Sequence, residues 1–142
     1  MKPPDECKKE LVREWLTKAE KDYVAAGILL KSDPFVLGIV TFLAQQAAEK
    51  YLKAYLVWNQ VDFPKTHNIG VLLVLISDLD KALAERLIPV RTLSKYAVDN
   101  RYPGDIPEVS QEAATTALAL AEDVRDAIRN LLRDFEQPQR QE

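Results

Sequence analysis

Five polar residues, Gln45, Gln46, Glu49, Lys50 and Lys53, recur inside an otherwise apolar stretch, and the only histidine of the chain, His67, follows shortly after Lys65 and Thr66. At about 100° per residue those five fall within roughly 140° of a helix surface, so they form one narrow seam. Two lysines about one turn apart beside Gln46 have the chemistry to hold a phosphate or an acidic partner, provided an apolar surround partly excludes water. The plainer reading is an (i, i+4) pair of Glu49 and Lys53 worth about 0.2–0.5 kcal/mol, with Gln46 and Lys50 simply solvated. His67 stands where a loop leads into a helix, and helix N-termini attract anions. If Lys65, His67 and the seam lysines converge, the anion is a nucleotide phosphate; otherwise the histidine caps or packs. Arg101 and Tyr102 sit at a helix exit, where an arginine neutralises the last carbonyls. Joined by Arg91 and Lys95, they would instead form a basic lip around a groove. The carboxylate pairs Glu20 with Asp22 and Glu122 with Asp123 are expected on exposed faces, solvated and idle.

The elements that must position these residues are helices. Leu43, Ala44, Ala47, Ala48, Tyr51, Leu52, Ala54, Tyr55 and Leu56 cover most of the seam helix, which must therefore be enclosed by others. It is expected from about Pro34 to Trp58. Before it, Val12, Leu16, Ala19, Tyr23, Ala26 and Leu30 recur at steps of four and three, giving an amphipathic helix from about Glu6 to Lys31. Ser32-Asp33-Pro34 ends that helix and opens the next. Gly38 lowers helix propensity by roughly 1 kcal/mol relative to alanine, which suggests a neighbouring helix passing close to it. After a connection from Val61 to Thr66, His67 or Asn68 caps a short helix from about Ile69 to Ser77. Its apolar run resembles a buried strand, but no second strand signal exists to pair with it. Helices from about Leu79 to Leu87 and Val90 to Asn100 follow, and Arg101 to Asp105 breaks the pattern with proline and glycine together. The last helix opens between Ile106 and Ser110 and runs to about Phe135. Ala113, Ala117, Leu120, Val124, Ala127 and Leu131 form its seam against antiparallel neighbours, and its small-sided first half admits a partner closely.

Composition sets the outer bounds. A chain of 142 residues suits one domain, and 47% hydrophobic with 29% charged residues is ordinary for a folded globular protein. The net charge of −3 provides no global field to gather nucleic acid, so RNA contact would need a local basic patch. A single cysteine, Cys7, makes no internal disulfide, and no cluster with metal-ligand spacing is present in the sequence. Charges occupy the N-terminus where a signal peptide needs an apolar core, and no stretch reaches the roughly 18 uncharged residues of a membrane span. A soluble, cytoplasmic protein is expected, with a bundle over residues 6–135 and a mobile polar tail over 136–142.

The run QQAAEKYLKAYL (Gln45 to Leu56), followed by PKTH (Pro64 to His67) and later by RYP (Arg101 to Pro103), resembles the HEPN domain family, and the likeness covers about Trp15 to Leu132. The resemblance implies an all-α, single-domain up-and-down bundle of about five helices, similar to nucleotidyltransferase substrate-binding domains. It also implies homodimers, a small nucleotidyltransferase partner in a toxin–antitoxin-like pair, and a nucleotide ligand such as ATP. By that likeness Gln46, Glu49, Lys50, Lys53, His67, Arg101 and Tyr102 match the family's recurring residues, with Lys65 beside them. One branch of the family consists of metal-independent ribonucleases that depend on an arginine followed four to six residues later by histidine. No arginine lies between Arg13 and Arg86, so that pattern is absent, and the pair's role, a general base or acid beside a cation that holds the phosphate, has no obvious occupants. The expectation is a non-catalytic module that binds nucleotide or partner, with a ribonuclease using His67 and Arg101 as the alternative.

Overall fold

A computed structural model describes residues 4–97 and 108–133. The expected break at Arg101 to Asp105, the candidates Arg101 and Tyr102, and the expected tail over 136–142 lie outside those residues. The described residues form an all-α bundle, as the hydrophobic patterning predicts, and contain no strand.

Five α-helices follow in order: α1 (Pro4–Leu30), α2 (Leu37–Trp58), α3 (Ile69–Ser77), α4 (Lys81–Arg86) and α5 (Gln111–Leu131). Each start has a local cause. Asp33 accepts from the Phe35 amide and sets up a 3-10 turn, Pro34–Val36, that feeds α2; this turn occupies the positions where an α-helical start was expected. Asn68 caps α3 by accepting from Gly70 N–H, Asp80 caps α4 through Leu83 N–H, and Ser110 caps α5 through Ala113 N–H. The Asp80 cap also explains why α4 opens two residues later than expected. The segment Ile88–Tyr96 is 3-10 rather than α-helical, with Val90 N–H bonded to Leu87 O and Ala97 N–H to Ser94 O. Pro89 lies in the first turn of this segment, where its missing N–H costs no ladder bond; it stops α4 from continuing but does not account for the tighter winding.

Helix α2 is the centre. It packs most extensively on α1, next on α5, and also meets α3 and the 88–96 segment. Tyr51, Leu52 and Leu56 of α2 are fully buried among Val12 and Ala19 of α1, Ile69, Leu72 and Ile76 of α3, and Ala121, Val124 and Ile128 of α5. Ala114, Ala117 and Ala121 place little bulk between α5 and its neighbours, so the backbones can approach. A smaller cluster of Ala26, Leu37, Val40 and Ala114 forms a second core. Gly38 has no heavy atom within 4 Å of where a β-carbon would lie, so no helix passes close there and the expectation of tight packing at Gly38 fails. Nothing in the structure explains that glycine.

The Glu20 and Asp22 carboxylates, expected to be merely solvated, instead tie α1 to its neighbours. Arg125 of α5 donates through Nε to Glu20 Oε1 and through Nη2 to Oε2, each at 2.9 Å, and Arg129 Nη1 donates to Oε1 at 3.2 Å. The Tyr51 hydroxyl donates to the same Oε1 from α2, and Lys50 Nζ lies 2.6 Å from Asp22 Oδ2. Glu122 and Asp123 are exposed as expected.

Candidate functional site

Gln45, Glu49 and Lys53 are spaced four residues apart, so one row of α2 carries an amide, a carboxylate and an ammonium group in line. The row faces inward. The expected (i, i+4) pair of Glu49 and Lys53 forms, but at side-chain exposures of 4% and 8% it is buried rather than at the surface. Burial becomes tolerable only because every charge finds a partner. Lys53 Nζ donates to Glu49 Oε2 at 2.7 Å and to the Thr66 carbonyl at 3.2 Å. Gln45 Nε2 donates to Glu49 Oε1 at 2.9 Å and lies 3.2 Å from the His67 carbonyl, while Gln46 Nε2 donates to Gln45 Oε1 at 2.7 Å.

The connection between α2 and α3 closes over this row. His67 Nδ1 reaches Glu49 Oε1 at 3.0 Å, yet the His67 side chain keeps 62% of its surface exposed. One edge of the imidazole is thus tied to a buried carboxylate and the remainder faces outward. Burial pushes the Glu49 carboxyl up, but the donors from Lys53, His67 and Gln45 outweigh it and hold the group below the usual carboxylate range. The Lys53 ammonium group also lies 5.5 Å from the Trp15 ring centre and 5.6 Å from that of Phe63, and the two rings meet edge to face at 6.3 Å. Behind His67, Ser94 Oγ accepts from the Ile69 amide, which anchors the start of α3 to the 88–96 segment. The Arg91 stem would lie 3.5 Å from a β-carbon at Gly70, three residues after the histidine.

Of the residues singled out from the sequence, Gln46, Glu49, Lys53 and His67 are therefore brought into one network. Lys50 is on the same helix but turned to Asp22 of α1, so the two seam lysines do not converge on one ligand. Both are already matched by carboxylates, which removes them as a ready phosphate clamp. Lys65 is exposed two residues before His67 and makes no ion pair among the described residues. The sequence reading left Gln45 out of the candidate site although it belongs to the seam, named Arg91 only as part of a basic lip with Lys95, Arg101 and Tyr102, and missed Trp15, Phe63 and Ser94. The four-residue step from Gln45 to Glu49 to Lys53 was a usable signal for the first; the others are brought in by tertiary packing.

The HEPN domain profile matches residues 12–131, from Val12 in α1 to Leu131 at the end of α5. The chain belongs to the HEPN domain family. Comparison with curated proteins and with solved structures gave no match. In this HEPN domain the matched span contains the whole Glu49 network and the loop above it. Among its described residues no group of three or more histidine, cysteine or carboxylate side chains is placed to hold a metal ion, and no helix is long and apolar enough to cross a membrane.

Proposed function

We propose that this HEPN domain is a non-catalytic module that dimerises and binds a nucleotide beside His67, with its phosphates at the neighbouring cations, in the service of a small nucleotidyltransferase partner. One observation carries the nucleotide reading: His67 is exposed while its ring is held by the buried Glu49, so a surface imidazole has a fixed orientation at low entropic cost to a ligand. Lys65 precedes it in the loop and Arg91 flanks the start of α3, and either cation supplies charge for a phosphate without breaking a buried pair. The dimer and the transferase rest on the family likeness alone.

Calorimetric titration with ATP, ADP and AMP tests this directly. Measurable binding is expected, weakened about tenfold in His67→Ala, equivalent to about 1.4 kcal/mol. No heat above dilution from any of the three nucleotides would sink the nucleotide reading. Sedimentation across a concentration series tests dimerisation separately, and co-purification with a transferase encoded beside this chain tests the partner.

A second reading has one feature in its favour. A carboxylate that orients an exposed imidazole is also the arrangement of a general base, so metal-independent RNA cleavage is the alternative. Each chain contains a single histidine, so no second imidazole of the same protomer can act as the matching acid. Labelled RNA incubated with the protein is expected to stay intact; cleavage abolished by His67→Ala would replace the binding reading with the catalytic one.

A further inference from the structure

The Glu49 network decides which nitrogen of His67 carries the proton. Lys53 Nζ, 2.7 Å from Glu49 Oε2 and enclosed by Trp15 and Phe63, is an ammonium partner that keeps the carboxylate ionised. An ionised carboxylate only accepts hydrogen bonds, so the 3.0 Å contact at Oε1 is donated by Nδ1–H of the ring. In a neutral imidazole with Nδ1 protonated, Nε2 is left with a bare lone pair. Rotating the ring about its Cβ–Cγ bond would bring Cδ2 in place of Nδ1 and break the bond to Glu49. The backbone on which it would turn is held at both the Thr66 and His67 carbonyls, by Lys53 and Gln45. Nε2 has no partner among the described residues.

A phosphate oxygen, being an acceptor at neutral pH, has nothing to offer that lone pair. The donors nearest to the phosphates of a nucleotide are its ribose hydroxyls. Building on the nucleotide reading above, we infer that His67 Nε2 accepts a hydrogen bond from a ribose hydroxyl, which makes this edge selective for ribonucleotides over their deoxy counterparts. The phosphates fall to Lys65 and Arg91. Selectivity of this kind arises because an analogue lacking the hydroxyl leaves the acceptor unmatched. The half-open setting of the ring limits the effect to a modest factor, since water replaces part of what is lost.

The test titrates the intact chain with ATP, 2′-deoxyATP and 3′-deoxyATP at about pH 8, where an ordinary imidazole is neutral. One of the two deoxy analogues is expected to bind roughly fivefold more weakly than ATP, and the difference is expected to vanish in His67→Ala. Equal affinity for all three in the wild-type chain overturns the inference while leaving the nucleotide reading intact; absence of any ATP binding removes both. A second measurement needs no ligand. Because the chain has one histidine, its two ring nitrogens give an unambiguous nitrogen NMR spectrum on labelled protein. Protonated Nδ1 with unprotonated Nε2 is the expected tautomer, and in a Glu49→Gln, Lys53→Met double variant the preference is expected to be lost. A wild-type ring protonated on Nε2 alone overturns the inference.

Discussion

Glu49 carries more of the site than any other described residue, because its carboxylate is shared by Lys53, Gln45 and His67. Removing it strands a buried ammonium group. Glu49→Ala is therefore expected to destabilise the fold by about 3–5 kcal/mol, read as a shift of the urea midpoint. Glu49→Gln with Lys53→Met removes both charges at similar volume, and most of that loss should be recovered. A double variant as unstable as Glu49→Ala would mean that something other than the stranded charge sets the cost. The row of Gln45, Glu49 and Lys53 was legible as a line on one helix face, but its direction was not. An (i, i+4) ion pair has the same spacing whether it faces water or core. The difference is made by the Thr66 and His67 carbonyls and the rings of Trp15 and Phe63, none of which is local in sequence.

Between elements, the strongest polar fastening is Glu20 of α1 against Arg125 and Arg129 of α5 and Tyr51 of α2. The hydrogen bonds from Arg125 dominate and, against the opposing pull of burial, lower the Glu20 carboxyl from 4.5 to about 2. A folded-state value depressed in this way adds stability that is fully present above about pH 4.5 and is lost as pH falls towards about 2. Glu49 is depressed in the same direction and steepens the same acid limb. Glu20→Gln is expected to cost about 1 kcal/mol near pH 7, since a partly exposed pair is screened by solvent. Denaturation midpoints of wild type and variant should then converge as pH falls from about 4.5 to 2. A gap that stays constant across that range would show that packing, rather than charge, accounts for the loss. The helix boundaries capped by Asp33, Asn68 and Ser110 were close to those read from the sequence, because a cap is a local event. The clasp of Glu20 by Arg125 spans 105 residues of chain, and the periodicity that revealed each helix said nothing about which polar faces would meet.

For the whole molecule, the enclosure of α2 was the most legible feature, since a helix apolar around most of its surface has few other places to be. The order of helices followed from it, and the winding of the 88–96 segment did not, because its pattern fits α and 3-10 geometry alike. Sharing one central helix among α1, α3, α5 and the 88–96 segment has a thermodynamic consequence: no neighbour can leave without exposing part of α2. The described bundle should therefore unfold as one unit. Trp15 and Trp58 both pack against the main core, so tryptophan fluorescence reports on it, while far-ultraviolet circular dichroism reports on all helices. Coincident urea midpoints from the two probes are expected. Leu52→Ala, at a fully buried position of α2, should lower both together by an amount equivalent to about 2–5 kcal/mol. If fluorescence moved while the helical signal kept its original midpoint, α2 would not be the shared centre, and the buried row that orients His67 would lose the rigid support on which its binding role depends.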